Sequence, residues 1–345
     1  MAGWLSRIEA EATDFPGTLG LFPELRTSYA DYFTRLWNPV VLDPRTTELV
    51  RLRIAQLHEC ETELAVRTRP AVDAGLDDAK VAALAKGGGD PAFDAVESAC
   101  LDFAEQFVMA PGGVSDEDRT RLTDLLGMPR VVGLAMACAV FDGFARFQVV
   151  LGTHTVAPAL PGTAVTVAEL PGLDPAAPAT PPPTDPADPI ASSPFALQPD
   201  LLASFLRLYG TLWSNGVVDH ASKEVARLRN ARVTDCRFCR AVRYDQATAA
   251  GLTEDFVELI DDGFEASALQ ERHKTVIRLA DVFLGNPHGV TGELRNELVA
   301  AYGAAGTAEL TAGLALFMGF SKIAVSLGTI PEGLPTRIPL PTPRR

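Results

Sequence analysis

The sequence repeats itself at a constant offset of 176 residues, and this repeat limits the possible folds more than any other feature. The two copies are "TTELVRLRIAQLHECETELAVRTRPAVDAGL" and "SKEVARLRNARVTDCRFCRAVRYDQATAAGL". The offset pairs the following residues: Leu36-Trp37 with Leu212-Trp213, Glu48 with Glu224, Arg51 with Arg227, Cys60 with Cys236, Arg67 with Arg243, Gly143-Phe144 with Gly319-Phe320, and Leu151-Gly152-Thr153 with Leu327-Gly328-Thr329. Chance does not keep one offset over so long a stretch, so the sequence predicts a duplicated domain whose halves pack as a pseudo-symmetric pair.

Helical periodicity dominates both halves. Segments such as "DAVESACLDFAEQFVM" and "ALQERHKTVIRLADVFLG" place apolar residues three and four positions apart, whereas "TAELTAGLALFMGFSKIAVSLG" is apolar on most faces, as a central helix would be. Glycine and proline separate these segments, and Ser115 and Thr291 are predicted N-caps of the helices that follow them. The sequence therefore predicts an all-α fold.

Between the copies lies a segment of different composition. Residues 156–200 hold 12 of the 26 prolines and show almost no helical periodicity. Proline fixes φ, so this stretch is predicted to be an extended, semi-rigid linker. An ordered arm that wraps one half around the other is the alternative, because Val165, Val167 and Leu170 are apolar. The predicted organisation is a helical domain at 1–155, a linker at 156–200 and a second helical domain at 201–345.

Charge and composition argue against several classes of partner. A net charge of −14 without a basic stripe argues against nucleic acid, whose binding needs concentrated lysine and arginine. The longest apolar stretch is interrupted by Asp142 and Arg146, so no run reaches the ~18 residues of a membrane span and we expect no membrane partner. Five cysteines, an odd number, without an export signal predict a cytoplasmic protein in which a close cysteine pair serves catalysis or metal binding.

The segment "VTDCRFCRAVRYDQA" carries two of these cysteines, Cys236 and Cys239, three positions apart. A helix is predicted before it, over residues 222–232, with Ser222 as the candidate cap. "VTD" interrupts that helix, and Asp235 can cap a second helix that begins at Cys236. Both sulfurs would then lie in or near a first helical turn.

Such a position favours a reactive thiolate. On a continuous helix Cys236, Cys239 and Arg243 fall on one face, where the helix N-terminus and the guanidinium would lower a thiol pKa. Two cysteines at this spacing can also close a disulfide. A zinc site would need further ligands, for which His220 and His288 are the candidates, so we expect no metal. Two inert buried cysteines are the remaining alternative.

The pattern of Glu224, Cys236 and Cys239 resembles the carboxymuconolactone decarboxylase superfamily, and within it the AhpD-like alkylhydroperoxidases, whose motif is E-x11-C-x2-C-x3-H. The resemblance covers residues 25–153 and 201–329, although the full cysteine motif is in the second copy alone. It implies that Cys239 is the peroxidatic thiol, which becomes a sulfenic acid, and that Cys236 resolves it to a disulfide. Glu224 would be the carboxylate of a proton relay.

The sequence departs from this motif at Arg243, which occupies the position of the family histidine. Arginine stays protonated and cannot act as a base. Three explanations are open at this point: Glu224 deprotonates Cys239 directly or through water, Arg243 lowers the thiol pKa enough to make a relay unnecessary, or peroxidase activity is weak or lost.

The first copy of the motif is degenerate. Glu48 and Cys60 remain, but Glu63 replaces the second cysteine, so no local disulfide can form there. Glu63 and Arg67 are spaced as an i, i+4 pair on a helix, which predicts a salt bridge and a structural role for this half. The alternative is a pocket around a small polar ligand, formed by Glu48, His58, Cys60, Glu63 and Arg67.

Three functions are open at this point. The first is a thiol-dependent hydroperoxidase that needs no cofactor and is recycled by a dithiol partner, such as a lipoyl or thioredoxin-like protein. The second is a decarboxylase-like lyase or isomerase, in which Arg67 and Arg243 clamp a carboxylated metabolite and Glu48 or Glu224 moves a proton. The third is a non-catalytic helical scaffold. By analogy with the family we also expect a homo-oligomer.

Overall fold

The computed structural model of the chain describes residues 4–9, 12, 14–153, 165–170, 172, 174–178, 193–328 and 337–338. Helices make up 72% of the structure and strands 3%, which confirms the predicted all-α fold. The helices of the first half are α1 (Phe15–Gly20), α2 (Pro23–Arg35), α3 (Pro44–Leu57), α4 (Glu61–Leu64), α5 (Arg69–Asp73), α6 (Asp78–Ala83), α7 (Ala95–Met109), α8 (Asp116–Leu126) and α9 (Met128–Leu151).

The second half repeats this order of elements. Its helices are α10 (Pro199–Ser214), α11 (His220–Val233), α12 (Arg237–Ala241), α13 (Asp245–Ala249), α14 (Glu254–Glu258), α15 (Glu271–Gly285) and α16 (Gly292–Leu327). Short 3-10 helices are Trp4–Arg7, Leu84–Lys86, Pro111–Gly113, Pro194–Leu197, Phe264–Ala266 and Pro287–Gly289, and the strands are β1 (Val66–Thr68), β2 (Thr166–Ala168), β3 (Arg243–Tyr244) and β4 (Arg337–Ile338). Two predicted caps are confirmed here, since the Ser115 and Thr291 side chains accept hydrogen bonds from the first turns of α8 and α16.

Residues with left-handed backbone conformation recur at the repeat offset. Gly127 (φ 77°) separates α8 from α9, and Gly303 (φ 67°) breaks α16 at the corresponding place. Glu59 and Asp235, with φ of 52° and 50°, each lie immediately before the first cysteine position of their half. One hydrophobic core runs through both halves, so the division into two separate domains stays a prediction.

Helices α9 and α16 pack against each other at the centre of the molecule. A Cβ on Gly143 would lie 2.6 Å from the carbonyl oxygen of Ala315, and a Cβ on Gly319 would lie 3.0 Å from the Cβ of Ala139. Gly319 and Ala315 are the repeat partners of Gly143 and Ala139, so the same close contact occurs on both sides of the interface, as between the subunits of an isologous dimer.

Two of the central helices are long and apolar enough to cross a membrane, which the interrupted apolar runs of the sequence did not predict. They are Met128–Leu151 and Gly292–Leu327, and their most apolar windows are 100% and 89% buried within the protein. Their apolar character is therefore satisfied by packing against the rest of the chain, as in the core helices of other helical proteins.

A cluster of buried charges joins the two central helices. The Asp142 carboxylate on α9 lies 2.7 Å from His58 Nε2, 2.8 Å from Arg146 Nε and 2.6 Å from Lys322 Nζ on α16. Lys322 also donates to the carbonyl of Val108 at 2.8 Å. Burial alone would raise the pKa of Asp142, but Lys322 and Arg146 outweigh it and hold that pKa well below its ordinary value. The carboxylate is thus ionised and shared between the halves.

Each half is extended by a segment that follows its last helix. Strand β2, within the proline-rich segment, pairs in parallel with β1, and β4 pairs in parallel with β3. Asn38 donates to the carbonyl of Pro175 at 3.1 Å, and Arg35 donates to that of Ala177. The described part of the proline-rich segment therefore packs on the first half, as the ordered-arm alternative expects, and is not an extended linker there.

Candidate functional site

Helix α11 carries Glu224 and begins two residues earlier than predicted. The side chain of Asp219 caps it by accepting a hydrogen bond from the backbone of Ser222 at 2.9 Å, so the prediction of Ser222 as the cap is wrong. Both residue types are good caps, and the sequence offers both at this point. The earlier start leaves Glu224 in the second turn of the helix, where its side chain is fully buried.

The helix with the cysteines is shorter than predicted. Helix α12 contains five residues, Arg237–Ala241, and Cys236 is its N-cap, with Sγ accepting from the backbone of Cys239 at 3.3 Å. Asp235, the predicted cap, has a left-handed backbone, and its carboxylate instead pairs with Arg240 at 3.1 Å. Because Asp235 has a left-handed backbone, the chain turns at the end of α11. The sulfur of Cys236 then lies at the first turn of α12, where it accepts from Cys239.

Cys236 and Cys239 face each other at disulfide distance, with their Cα atoms 5.3 Å apart. Cys236 is fully buried, and Cys239 is 4% exposed. Two cysteines that can bond without backbone movement are able to cycle between dithiol and disulfide. The geometry therefore fits a redox pair.

Arg243 does not share a face with the cysteines, so that prediction is wrong. The interval from Cys239 to Arg243 would place them together on a continuous helix, but α12 ends at Ala241 and Val242 is extended, with ψ of 139°. Arg243 lies in β3, and its Nε and Nη2 donate to Glu254 at 3.0 and 2.9 Å. The Arg243 charge, which was expected beside the thiol, therefore pairs with Glu254 instead.

Glu224 is bound by Arg227, one turn later on α11. Arg227 Nε donates to Glu224 at 2.6 Å, and its two terminal nitrogens donate to the carbonyls of Cys239 and Val242, both at 2.7 Å. Burial alone would lower the pKa of Arg227, but Glu224 outweighs it and raises that pKa above its ordinary value. The ion pair therefore fixes the backbone on which Cys239 lies, and Glu224 reaches the cysteine through this arginine.

Two further polar residues contact the site and were missed from the sequence. Ser321 Oγ on α16 donates to Cys239 Sγ at 3.2 Å, and Asn230 Nδ2 on α11 donates to Ser321 Oγ at 2.8 Å. Both side chains are fully buried. The repeat contained a signal for them, because their first-half counterparts are the apolar residues Ile54 and Ala145.

A pair of tyrosines lies beside the same arginine. The hydroxyl groups of Tyr209 and Tyr244 are 2.9 Å apart, and the Arg227 guanidinium lies 5.0 Å from the ring centre of Tyr244. Burial raises the pKa of both tyrosines, so they are neutral phenols. Their first-half counterparts are Phe33 and Thr68, so the two copies differ around the arginine as well as at the cysteine.

The first half contains the same ion pair with different neighbours. Arg51 Nε donates to Glu48 at 3.0 Å, and Arg51 Nη1 lies 2.5 Å from Glu63, whose other oxygen accepts from Gln148 at 2.6 Å. The predicted salt bridge between Glu63 and Arg67 is wrong, because α4 ends at Leu64 and the Arg67 guanidinium donates instead to backbone carbonyls. Glu63 thus occupies the position of Cys239 and strengthens the hold on Arg51.

The other members of the predicted polar pocket lie apart from this pair. His58 belongs to the charge cluster around Asp142. Cys60 is fully buried against Ala55 and Ala145, and burial, with the Glu63 charge, raises its pKa to about 12. Arg51 brings together Glu48 and Glu63, but the five residues do not form one pocket.

A small cavity adjoins Glu63. It measures about 10 Å³ and is lined by Tyr29, Phe33, Arg51, Glu63, Phe141 and Phe144 among others. A cavity of this size holds about one water molecule. It is too small for an organic substrate, which argues against substrate binding beside Glu63.

Fold and site together define an all-α protein with an internal sequence repeat and a disulfide-forming CxxC pair in the second copy. Residues 23–106 match the Carboxymuconolactone decarboxylase family, so this part of the first half is similar to that family. The matched segment runs from α2 into α7, so it includes Glu48 and Cys60 but not the CxxC pair. Among curated proteins, none matches the chain.

Proposed function

We propose that the chain is a thiol-dependent oxidoreductase that reduces hydroperoxides through Cys239 and Cys236. The observation that carries this proposal is the disulfide distance between the two sulfurs at the start of α12. The family match of residues 23–106 supports it, since the repeat places this pair in the second copy of the unit whose first copy matches the family. AhpD-like activity is the form of redox chemistry that the resemblance implies.

The reaction has three balanced steps. The Cys239 thiolate attacks the terminal peroxide oxygen and becomes a sulfenic acid, while the O–O bond breaks and the alkoxide takes the proton released by the thiol. The Cys236 thiol then attacks the sulfenic sulfur, forming the disulfide and releasing water. A dithiol reductant restores both thiols by two exchange steps and leaves as its own disulfide.

The reductant class that fits is a dithiol, either a lipoyl group or a thioredoxin-like protein in a reducing cytoplasm. Both sulfurs are buried, so exchange requires a local movement that uncovers them. The five-residue α12 is the element suited to this, because short helices depend on tertiary contacts for their stability. Arg227 holds this helix through the carbonyl of Cys239.

The test is hydroperoxide consumption by the reduced full-length chain with dihydrolipoamide as the donor. We expect turnover in the parent and none in Cys239→Ser, whereas Cys236→Ser, assayed without the donor, should consume one equivalent and stop at the sulfenic acid, which mass spectrometry detects. Cys60→Ser is the matched control, because Cys60 is the first-half counterpart of Cys236, and it should retain turnover. Turnover that survives in Cys239→Ser would refute the proposal.

Replacement of Arg243 separates this proposal from the lyase alternative. Arg243→Ala removes a pair with Glu254, whose side chain is 71% exposed, and such pairs contribute about 0–1 kcal/mol. We therefore expect peroxide turnover to fall by less than about threefold. A carboxylate clamp at Arg243 predicts instead that activity on a carboxylated metabolite is abolished. Parallel assays of peroxide consumption and metabolite decarboxylation distinguish the two.

A further inference from the structure

Cys239 has one polar neighbour whose purpose the redox pair does not explain. Ser321 Oγ lies 3.2 Å from Cys239 Sγ, with the hydroxyl group as the donor. Asn230 donates to the same oxygen at 2.8 Å, which directs the hydroxyl proton away from the amide and toward the sulfur. The three residues come from α16, α11 and α12, so the contact depends on tertiary packing.

The repeat shows that these three positions differ together. Where the second half has Asn230, Ser321 and Cys239, the first half has Ile54, Ala145 and Glu63. Burying a hydroxyl and an amide is costly unless they are hydrogen-bonded. Ile54 and Ala145 occur in the copy that lacks the thiol, so a fold of this kind does not need a polar pair at these positions. Asn230 and Ser321 therefore occur in the copy that contains Cys239 and are absent from the copy that lacks it.

Most charged side chains around Cys239 form ion pairs with one another, whereas Arg237 on α12 is exposed to solvent. The ion pairs around the site are Arg227 with Glu224 on α11, Arg240 with Asp235 beside α12, Arg243 with Glu254 beyond β3, and Lys322 with Asp142 on the central helices. Three of these pairs carry no net charge, whereas Asp142 also binds Arg146, so that cluster has one excess positive charge. Its two cations donate to Asp142 and to backbone carbonyls, and the donor to Cys239 Sγ on the same helix as Lys322 is Ser321. A buried anion without a charge partner depends on hydrogen-bond donors.

We propose that Ser321 stabilises the thiolate of Cys239 and that Asn230 orients its hydroxyl group for this purpose. In the disulfide the hydroxyl caps the Cys239 sulfur, and after reduction the same donor meets the anion. Ser321 would thus supply part of what a histidine supplies in the family motif. This inference rests on the proposed function only for the reaction that the thiolate carries out. The stabilisation of the thiolate by Ser321 does not depend on that reaction.

The test measures thiolate formation, which does not require peroxidase activity. In a Cys236→Ser background, where Cys239 cannot form the local disulfide, the rate of alkylation by iodoacetamide is followed as a function of pH, with Cys239 identified by mass spectrometry. Ser321→Ala removes a donor to a charged group and is expected to raise the pH midpoint of Cys239 alkylation by about one unit. At a pH below the midpoint this corresponds to about tenfold less thiolate.

The matched control is Ser326→Ala, because Ser326 lies on the same helix, is also fully buried and donates to the carbonyl of Ile323 within the helix. Its midpoint should stay at the parent value. Ser321→Thr keeps the hydroxyl and should also titrate like the parent, which a purely structural serine would not require. Asn230→Ile introduces the first-half residue and should shift the midpoint in the same direction as Ser321→Ala, which keeps the test open if the latter fails to fold.

An unchanged midpoint in both Ser321→Ala and Asn230→Ile overturns the inference, as does a midpoint in Ser321→Thr that moves as far as in the alanine variant. A shifted midpoint without peroxide turnover in the parent supports the role of Ser321 and refutes the peroxidase proposal alone. The two proposals therefore fail by different results.

Discussion

Replacement of Asp142 with methionine is expected to lower the free energy of unfolding by about 3–5 kcal/mol, because it leaves buried cations without their carboxylate. Asp142 is fully buried and contacts Arg146 and Lys322 within 2.8 Å. Methionine is the residue at the equivalent position, Met318, so its size is compatible with this helix. Urea unfolding of the full chain, followed by circular dichroism, measures the loss.

A double variant separates the stranded charge from the lost packing. The double variant Asp142→Met/Lys322→Met removes the carboxylate together with Lys322, one of its cationic partners. We expect this variant to be more stable than Asp142→Met alone. This follows because a buried ion pair replaced by apolar residues is often close to neutral, whereas one partner removed is not. A single variant within about 1 kcal/mol of the parent would contradict this prediction, because it would show that the buried cations do not depend on the carboxylate.

The parts of the fold that follow from local sequence were predictable. Helical periodicity gave the all-α class, and Ser115 and Thr291 were correctly predicted as caps because a cap depends on a few neighbouring residues. The strand at β2 was missed, because three residues of extended chain acquire their partner from β1, about 100 residues earlier.

Two of the errors at the site share one physical cause. The shared face of Cys239 and Arg243 and the pair of Glu63 with Arg67 both assumed a helix that continues past its first turn. In both halves the short helix ends early. An arginine on the preceding helix, Arg51 or Arg227, donates hydrogen bonds to the backbone carbonyls at that end. Such a tertiary hydrogen bond ends a helix without any local signal in the sequence.

Glu224 provides the second large expected effect, and it tests whether this carboxylate is a proton relay or a support for Arg227. Glu224→Gln keeps the shape of the side chain but removes the charge that balances a fully enclosed guanidinium. We expect the free energy of unfolding to fall by about 3 kcal/mol, because one partner of a buried pair is lost. Peroxide turnover should fall as well, since Arg227 also donates to the carbonyl of Cys239.

Glu48→Gln is the matched control for this variant. Glu48 binds Arg51 as Glu224 binds Arg227, and it also accepts hydrogen bonds from Thr68 at 3.1 and 3.2 Å, but no cysteine lies at the equivalent of Cys239. If the pair is structural in both halves, the two variants lose similar stability in urea. If Glu224 acts as a relay carboxylate, Glu224→Gln slows turnover at nearly unchanged stability while Glu48→Gln still destabilises the fold. That second pattern would contradict the support role, because the same pair of residue types would then have different purposes in the two copies.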